Sequence, residues 1–351
     1  MAPERQIPIS IVVPCYKSEA TLPACIDSLL AQDMDEYEII CVNDGSPDRC
    51  HDIIRAYEAA HPKLVRGVDQ DNGGLWNARW GGVDIARGEY VAFLDSDDTA
   101  TPDFARSLYE GASSTGADIA VCGFARTDQD TGRVLSTEMC EVRQPFNVAD
   151  DPGRLIEVNP AAWNKAYRAD ILRKMRRLRE TPAIMEDLAL LLLAAPETSG
   201  PIVFVPKPLI NYMVHADSMI NSVTPDQVAS SERMLLEVRE RYLEQGISDD
   251  LRSALDAIAF LHLGVSMSLR ISEGNPSLLG THIRGTTRFL DEYFPTWRRS
   301  PYISMRYARE KEGSSFTKLL ISQRVYRAHL MRPFLAVYRL VTRLTGSDVK
   351  W

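Results

Sequence analysis

Residues 72–98 read NGGLWNARWGGVDIARGEYVAFLDSDD. The stretch opens with a loop, Asn72-Gly73-Gly74, whose glycines let backbone come close to a ligand. Residues 75–86 read as a helix, and residues 90–94 as an apolar strand stopped by Asp95-Ser96-Asp97-Asp98. Working toward the N-terminus, residues 9–13 form a β-branched run ending at Pro14. Residues 20–32 follow as a helix with Leu22, Ile26, Leu29 and Leu30 on one face. Residues 37–42 are strand-like and broken by Asn43-Asp44-Gly45-Ser46; residues 47–60 are helical and 64–68 strand-like. This alternation predicts an α/β fold, a mostly parallel sheet flanked by helices.

In such sheets ligands bind beyond the carboxyl ends of the strands. Asp44 and Asp95 both fall at that edge, each just past an apolar run. Toward the C-terminus the pattern is mixed from 101 to 215. Residues 118–124 and 202–205 read as strands there, and 169–178 and 186–195 as helices. From about 225 the chain is mainly helical. The expected organisation is a catalytic domain over 1–222, with halves of about 1–100 and 101–222, and a helical C-terminal region over 223–351.

The 351 residues are 45% hydrophobic and 25% charged, a globular composition. A net charge of −8 sets whole-molecule nucleic-acid binding aside. The six cysteines form no CxxC pair and read as reduced core thiols. The first ten residues hold no apolar signal core, and no uninterrupted apolar run reaches the ~18 residues of a spanning helix. The expected location is therefore the cytoplasm.

Asp95-x-Asp97 with Asp98 is the sharpest chemical feature. Carboxylates are hard ligands for Mg²⁺ or Mn²⁺, and such an ion bridges the phosphates of a nucleoside diphosphate. A solvated turn that ends a strand is the plain alternative. Asp44 either makes an ordinary Asn-Asp-Gly turn or binds a base or ribose. Arg79 either faces a phosphate or is a solvated helix residue. Glu186 and Asp187 open an apolar helix, where acids suit the helix dipole; alternatively Asp187 takes the proton of an attacking hydroxyl. His215 is either structural or a contact to metal or diphosphate.

In order, SIVVPCYKSEATLPACIDSLLAQ, YEIICVNDGSPD, the 72–98 stretch, WNKAYRADIL and MEDLALLL resemble the family 2 glycosyltransferases of GT-A fold. The resemblance spans residues 8–220; Trp80 stands where that family usually has Asn. It implies that Pro14, Tyr16, Glu19, Gly74, Arg79 and Ser96 border a nucleotide-sugar. It also implies that Asp44 binds the base, usually uracil, and that Asp95 contacts ribose or metal. Asp97, with His215, would ligate Mn²⁺ or Mg²⁺, and Asp187 would be the general base of an inverting transfer. Asp98, Glu186, Trp163 and Lys165 are accessory candidates. The implied partners are a UDP-sugar and a glycan or lipid-linked glycan acceptor, in bacterial cell-surface polysaccharide synthesis.

Residues 318–344 recur in apolar side chains at helical spacing, interleaved with arginines; Pro333 should kink this stretch or start a second helix. From 318 to 351 seven basic residues face one Asp. Such a helix either lies on an anionic membrane surface or packs on protein, its own or that of a second subunit. The basic run from Arg168 to Arg179 is a solvated face or a contact for an anionic acceptor. Two other functions compete. A sugar-1-phosphate nucleotidyltransferase wants a glycine-rich loop after the first strand, and PCYKSEATL has none; a dinucleotide-dependent dehydrogenase lacks the same glycines. A silent nucleotide-sugar or glycan binder would not need all of Asp44, Asp95, Asp97 and Asp187.

Overall fold

The computed structural model describes residues 7–214, 223–311 and 314–345, with only the backbone for 342–345. The described residues within Met1–Asp150 and Pro160–Ala216 form one compact unit. Those within Asp151–Asn159 and Asp217–Trp351 form a second. The short 3₁₀ segment Pro152–Glu157 thus belongs with the helices, well before the sequence boundary expected at 222.

In the first unit the elements run β1 (Ile7–Cys15), α1 (Leu22–Leu30), β2 (Glu38–Asp44), α2 (Cys50–Ala60), β3 (Val65–Gln70), α3 (Gly74–Ile85), β4 (Gly88–Phe93), β5 (Thr99–Ala100) and α4 (Phe104–Ser113). They continue as β6 (Ile119–Asp128), β7 (Val134–Glu138), β8 (Lys165–Arg168), α5 (Ala169–Lys174), α6 (Glu186–Ala194) and β9 (Ile202–Val214). The sheet order is β3-β2-β1-β4-β8-β6-β9-β5, with β7 beside β6. β3, β2, β1 and β4 are parallel. β8 then pairs antiparallel with both β4 and β6, and β9 returns parallel to β6. β1 and β2 are buried along nearly their whole length, which is why they read as continuous apolar runs rather than as alternation.

The site depends on how close α3 lies to the sheet. A methyl group added at Gly82 would collide with the Val12 side chain of β1, and one at Gly81 with Gln70. Only glycine allows that approach. Gly82→Val should lower stability by about 1–3 kcal/mol through overpacking, read as a shift in the denaturant midpoint at unchanged slope.

The second unit contains α7 (Pro225–Glu244), α8 (Asp249–Ala259), α9 (Met267–Gly274), α10 (Leu279–Tyr293), α11 (Met305–Glu310), α12 (Ser314–Arg327) and α13 (Met331–Thr345). Thr224 caps α7 in a reciprocal box with Gln227. A π-helical stretch, Phe260–Ser266, joins α8 to α9. The resulting 26-residue helix is apolar enough to cross a membrane by composition, but 72% of its most apolar window is buried within the protein, as in a core helix. Phe260, Trp297 and Tyr326 form its aromatic centre, with ring centroids 4.8–5.8 Å apart. Of the two options for Pro333, the chain takes the second. α12 ends at Arg327 and α13 begins at Met331, so the ring sits in a first turn where its missing N–H costs nothing.

Candidate active site

The carboxyl ends of β1, β2 and β4 lie side by side. Cys15 is in register with Asn43, and Val12 with Phe93. Sequence reasoning ended β2 at residue 42; the strand continues through Asp44, which is almost fully buried. Its carboxylate accepts from Gln70 Nε2 at 2.7 Å and from the backbone N–H groups of Gly73 at 2.9 Å and Gly74 at 2.8 Å. The Asn72 side chain donates to the Asp44 carbonyl at 2.9 Å. Asp44 therefore holds the glycine loop in place, and Gly74 reaches a φ of +80° that suits glycine. Gln70, unremarked in the sequence, completes this bracket; only its position at the end of β3 could have signalled it.

Arg79 is buried, so it is not the solvated helix residue of the plain alternative, and its guanidinium faces carboxylates. It ion-pairs with Asp187, with Asp95 at 3.2 Å and with Glu186 at 3.7 Å. The reason is geometric. α3 starts at the loop that Asp44 fixes and lies close on the sheet, so its second turn reaches the acidic end of β4. Phe93 lies under the guanidinium, 5.8 Å from ring centroid to carbon. Trp80 is likewise helical and buried, edge-on to Trp76 and covered by Arg177 at 4.6 Å.

Asp95 turns the chain, its carbonyl accepting from the Asp98 N–H at 3.0 Å. Ser96 is half-buried and Asp97 is exposed. Asp98 is buried; one carboxylate oxygen accepts from the Met213 N–H at 2.8 Å, and the other finds no partner among the described residues. Burial raises Asp95 to about 6, the Arg79 charge opposing this and Asp187 and Asp97 adding to it. Burial raises Asp98 well above the usual carboxylate range, and the charges of Asp97 and Asp95 push the same way. Glu186 is lifted to about 7 by burial and then by the Asp187 charge. α6 is entered through Met185, whose φ of +68° is strained for a side-chain-bearing residue. Nothing in the sequence could have announced that.

Trp163 stacks on Tyr212 at 5.2 Å and meets Phe124 edge-on at 4.7 Å. Lys165, at the start of β8, is fully buried and donates to the Ala161 carbonyl at 2.5 Å and to Asn164 Oδ1 at 2.8 Å. Burial depresses its ammonium to about 7, and the Asp187 charge resists that. Pro14 is buried at the end of β1, Tyr16 is exposed, and Glu19 accepts from the Arg49 N–H at 3.0 Å. His215 lies outside the described residues.

The structure thus forms two groups that α3 links along the chain: Asp44 with Gly74 at its start, and Arg79 with Asp95, Glu186 and Asp187 at its second turn. Residues 10–176 match the family described as Glycosyl transferase family 2. The putative glycosyltransferase EpsH of Bacillus subtilis (strain 168) is 30% identical over 265 residues, 74% of this chain and 76% of that protein. The chain belongs to glycosyl transferase family 2.

A family 2 glycosyltransferase is thereby what the alternating strands and acidic turn encode. The fold is also that of S. aureus TarS 1-349 in complex with UDP-GlcNAc. The two share a TM-score of 0.64 at 19% identity, with 92% of each chain covered. The mannosyltransferase PcManGT from Pyrobaculum calidifontis, in complex with GDP-Man and Mn²⁺, matches at a TM-score of 0.53 and 16% identity. That match covers 99% of this chain and 89% of PcManGT.

No three His, Cys, Asp or Glu side chains are already gathered into a metal cage among the described residues. The donor set nonetheless fits a hard divalent ion. Asp95 and Asp97 supply carboxylates, Asp98 keeps an unpartnered buried oxygen, and Arg79 is a single cation among three ion-paired acids. Mg²⁺ sites of this kind use one or two carboxylates and complete the shell with substrate phosphates and water.

Proposed function

We propose that this glycosyltransferase inverts the anomeric centre of a UDP-linked sugar and transfers it to a glycan hydroxyl in cell-surface polysaccharide synthesis. The supporting observation is the Arg79 clamp. It ties Asp187, at the start of α6, to Asp95, at the end of β4. A base for the acceptor and a carboxylate for the donor side are thereby held on one guanidinium. Asp97, with Asp95, would hold Mn²⁺ or Mg²⁺, which when bound would supply positive charge to the departing diphosphate.

The chain's own residues then do the following. Asp44 fixes the glycine loop at the rim, where the nucleotide would lie against Pro14, Tyr16 and Glu19. Asp187 accepts the proton of the acceptor hydroxyl. The acceptor oxygen forms its bond to the anomeric carbon from one face while the bond to the diphosphate oxygen breaks on the other, its electron pair leaving with UDP. Arg79 orients Asp187, and Lys165 places a buried, titratable nitrogen behind it.

The test is a donor screen. UDP release from a UDP-sugar should exceed GDP release from a GDP-sugar and dTDP release from a dTDP-sugar. It should require Mn²⁺ or Mg²⁺ and stop with a chelator. Pyrophosphate formation from a nucleoside triphosphate would overturn the reading in favour of nucleotidyl transfer.

A further inference from the structure

The helical unit carries positive charge that its own acids leave unmatched. Arg298, Arg299, Arg324 and Arg327 line a cavity of about 270 Å³ with Met305 at its edge. Asp291 pairs with Arg298 at 2.6 Å. Among the described residues Arg299, Arg324 and Arg327 have no acidic partner, and Arg327 donates only to the Arg298 carbonyl at 3.1 Å. Residues 314–345 contain Lys318 and five arginines and no acid at all, in a protein whose net charge is −8.

Large apolar side chains are exposed around the same elements. Met305 is 43% exposed, and Ile321, one turn before Arg324 on α12, is 46% exposed. On α13 and the turn before it, Leu330, Val337, Leu340 and Val341 are 50–62% exposed. Leu330, Phe334, Val337 and Val341 recur at helical spacing, whereas Met331 and Leu335, one position along, are buried. One stripe of α13 thus anchors the helix and the next is left apolar and outward. Outward aliphatic side chains on elements that also carry unpaired arginines are the chemistry of a helix lying in a lipid interface.

We propose that α12, α13 and the arginine cavity dock on an anionic lipid bilayer. The arginines take lipid phosphates, and Val337 and Leu340 enter the acyl boundary. A second copy of the chain meeting this face symmetrically would oppose arginine to arginine, which disfavours it as the occupant. The inference does not depend on the catalytic reading, because its readout is binding.

The full chain is floated with vesicles of phosphatidylcholine alone or with about one-third phosphatidylglycerol, at low and high salt. Binding is expected to the anionic vesicles only, and to weaken with salt. Arg299→Gln with Arg324→Gln should weaken it about 25-fold, near fivefold for each basic residue at the surface. Arg299→Lys with Arg324→Lys should bind as the parent does, which separates lost charge from lost folding. Val337→Ser with Leu340→Ser should also release the protein, and Arg106→Gln on the other unit should not. UDP release in solution should be unchanged throughout, so failure here is distinguishable from failure of the catalytic assignment. Equal binding to neutral vesicles, no binding to anionic ones, or indifference to the arginine pair would overturn the proposal. So would a change in mass by light scattering with vesicle binding intact in the Val337/Leu340 variant, which would assign the face to a second copy.

Discussion

Asp187→Asn is expected to lower kcat by about 10³-fold, within the range for losing a general base, while donor affinity and folding stay near those of the parent. Asparagine keeps an oxygen that can accept from Arg79, and Arg79 retains Asp95 at 3.2 Å and Glu186 at 3.7 Å as partners, so the clamp survives and the loss reports on proton transfer. Separate measurement of kcat, KM and UDP-sugar affinity checks this, because a base removed without disturbing the donor site lowers kcat and kcat/KM together. Glu186 is the control, as the adjacent acid held protonated up to about pH 7 by burial and by the Asp187 charge. If Asp187 is the base, Glu186→Gln costs far less than Asp187→Asn. A larger loss at Glu186 would move the base one residue back along the chain.

The parallel half of the fold was open to sequence reasoning because β1 and β2 are buried on both faces and helices alternate with the strands. Residues 9–13, 37–42, 64–68 and 90–94 all lie within or against β1 to β4. β8 escaped notice because Lys165–Arg168 carries a lysine and an arginine in four residues, and only tertiary burial makes a strand of it. Residues 151–159 join the helical unit through contacts such as Tyr307 to Asp151 at 2.6 Å and Lys311 to Asp151 at 2.6 Å, separations no periodicity can report. At the site, the sequence located the acids of the turn after β4 and of the start of α6. What they touch was not legible. Arg79 stays open in the sequence between a phosphate contact and a solvated helix residue, because a sequence shows a cation near a glycine loop but not the carboxylates across the sheet edge. Asp44 stays open in the sequence between a turn residue and a contact to base or ribose, because the donors its carboxylate takes come from Gln70, Gly73 and Gly74, 26 to 30 residues away.

Arg79→Met should destabilise the protein by about 3–5 kcal/mol at neutral pH, the cost of removing one partner from a buried charge network. Methionine roughly fills the apolar part of the space, so most of the penalty falls on the acids left behind. Its pH dependence gives the mechanism a signature. Asp95 and Glu186 have folded-state values of about 6 and about 7, above their unfolded values. Groups shifted this way contribute stability that is fully present below the unfolded value and is lost as pH rises through the folded one. Without Arg79 the largest influence opposing burial and mutual repulsion is gone, so both should shift further up. The deficit of the variant should then be smaller near pH 5, where both of these acids carry protons and only the lost Asp187 pair remains unmet, and grow through pH 6 to 8. Urea midpoints across that range, in the presence of a chelator, read this directly. A deficit independent of pH would mean that Arg79 matters by packing against Phe93 and not by charge. Added Mn²⁺ should recover part of the loss at pH 7.5, since a cation that binds only the folded site stabilises by mass action and substitutes for the missing guanidinium among Asp95, Glu186 and Asp187.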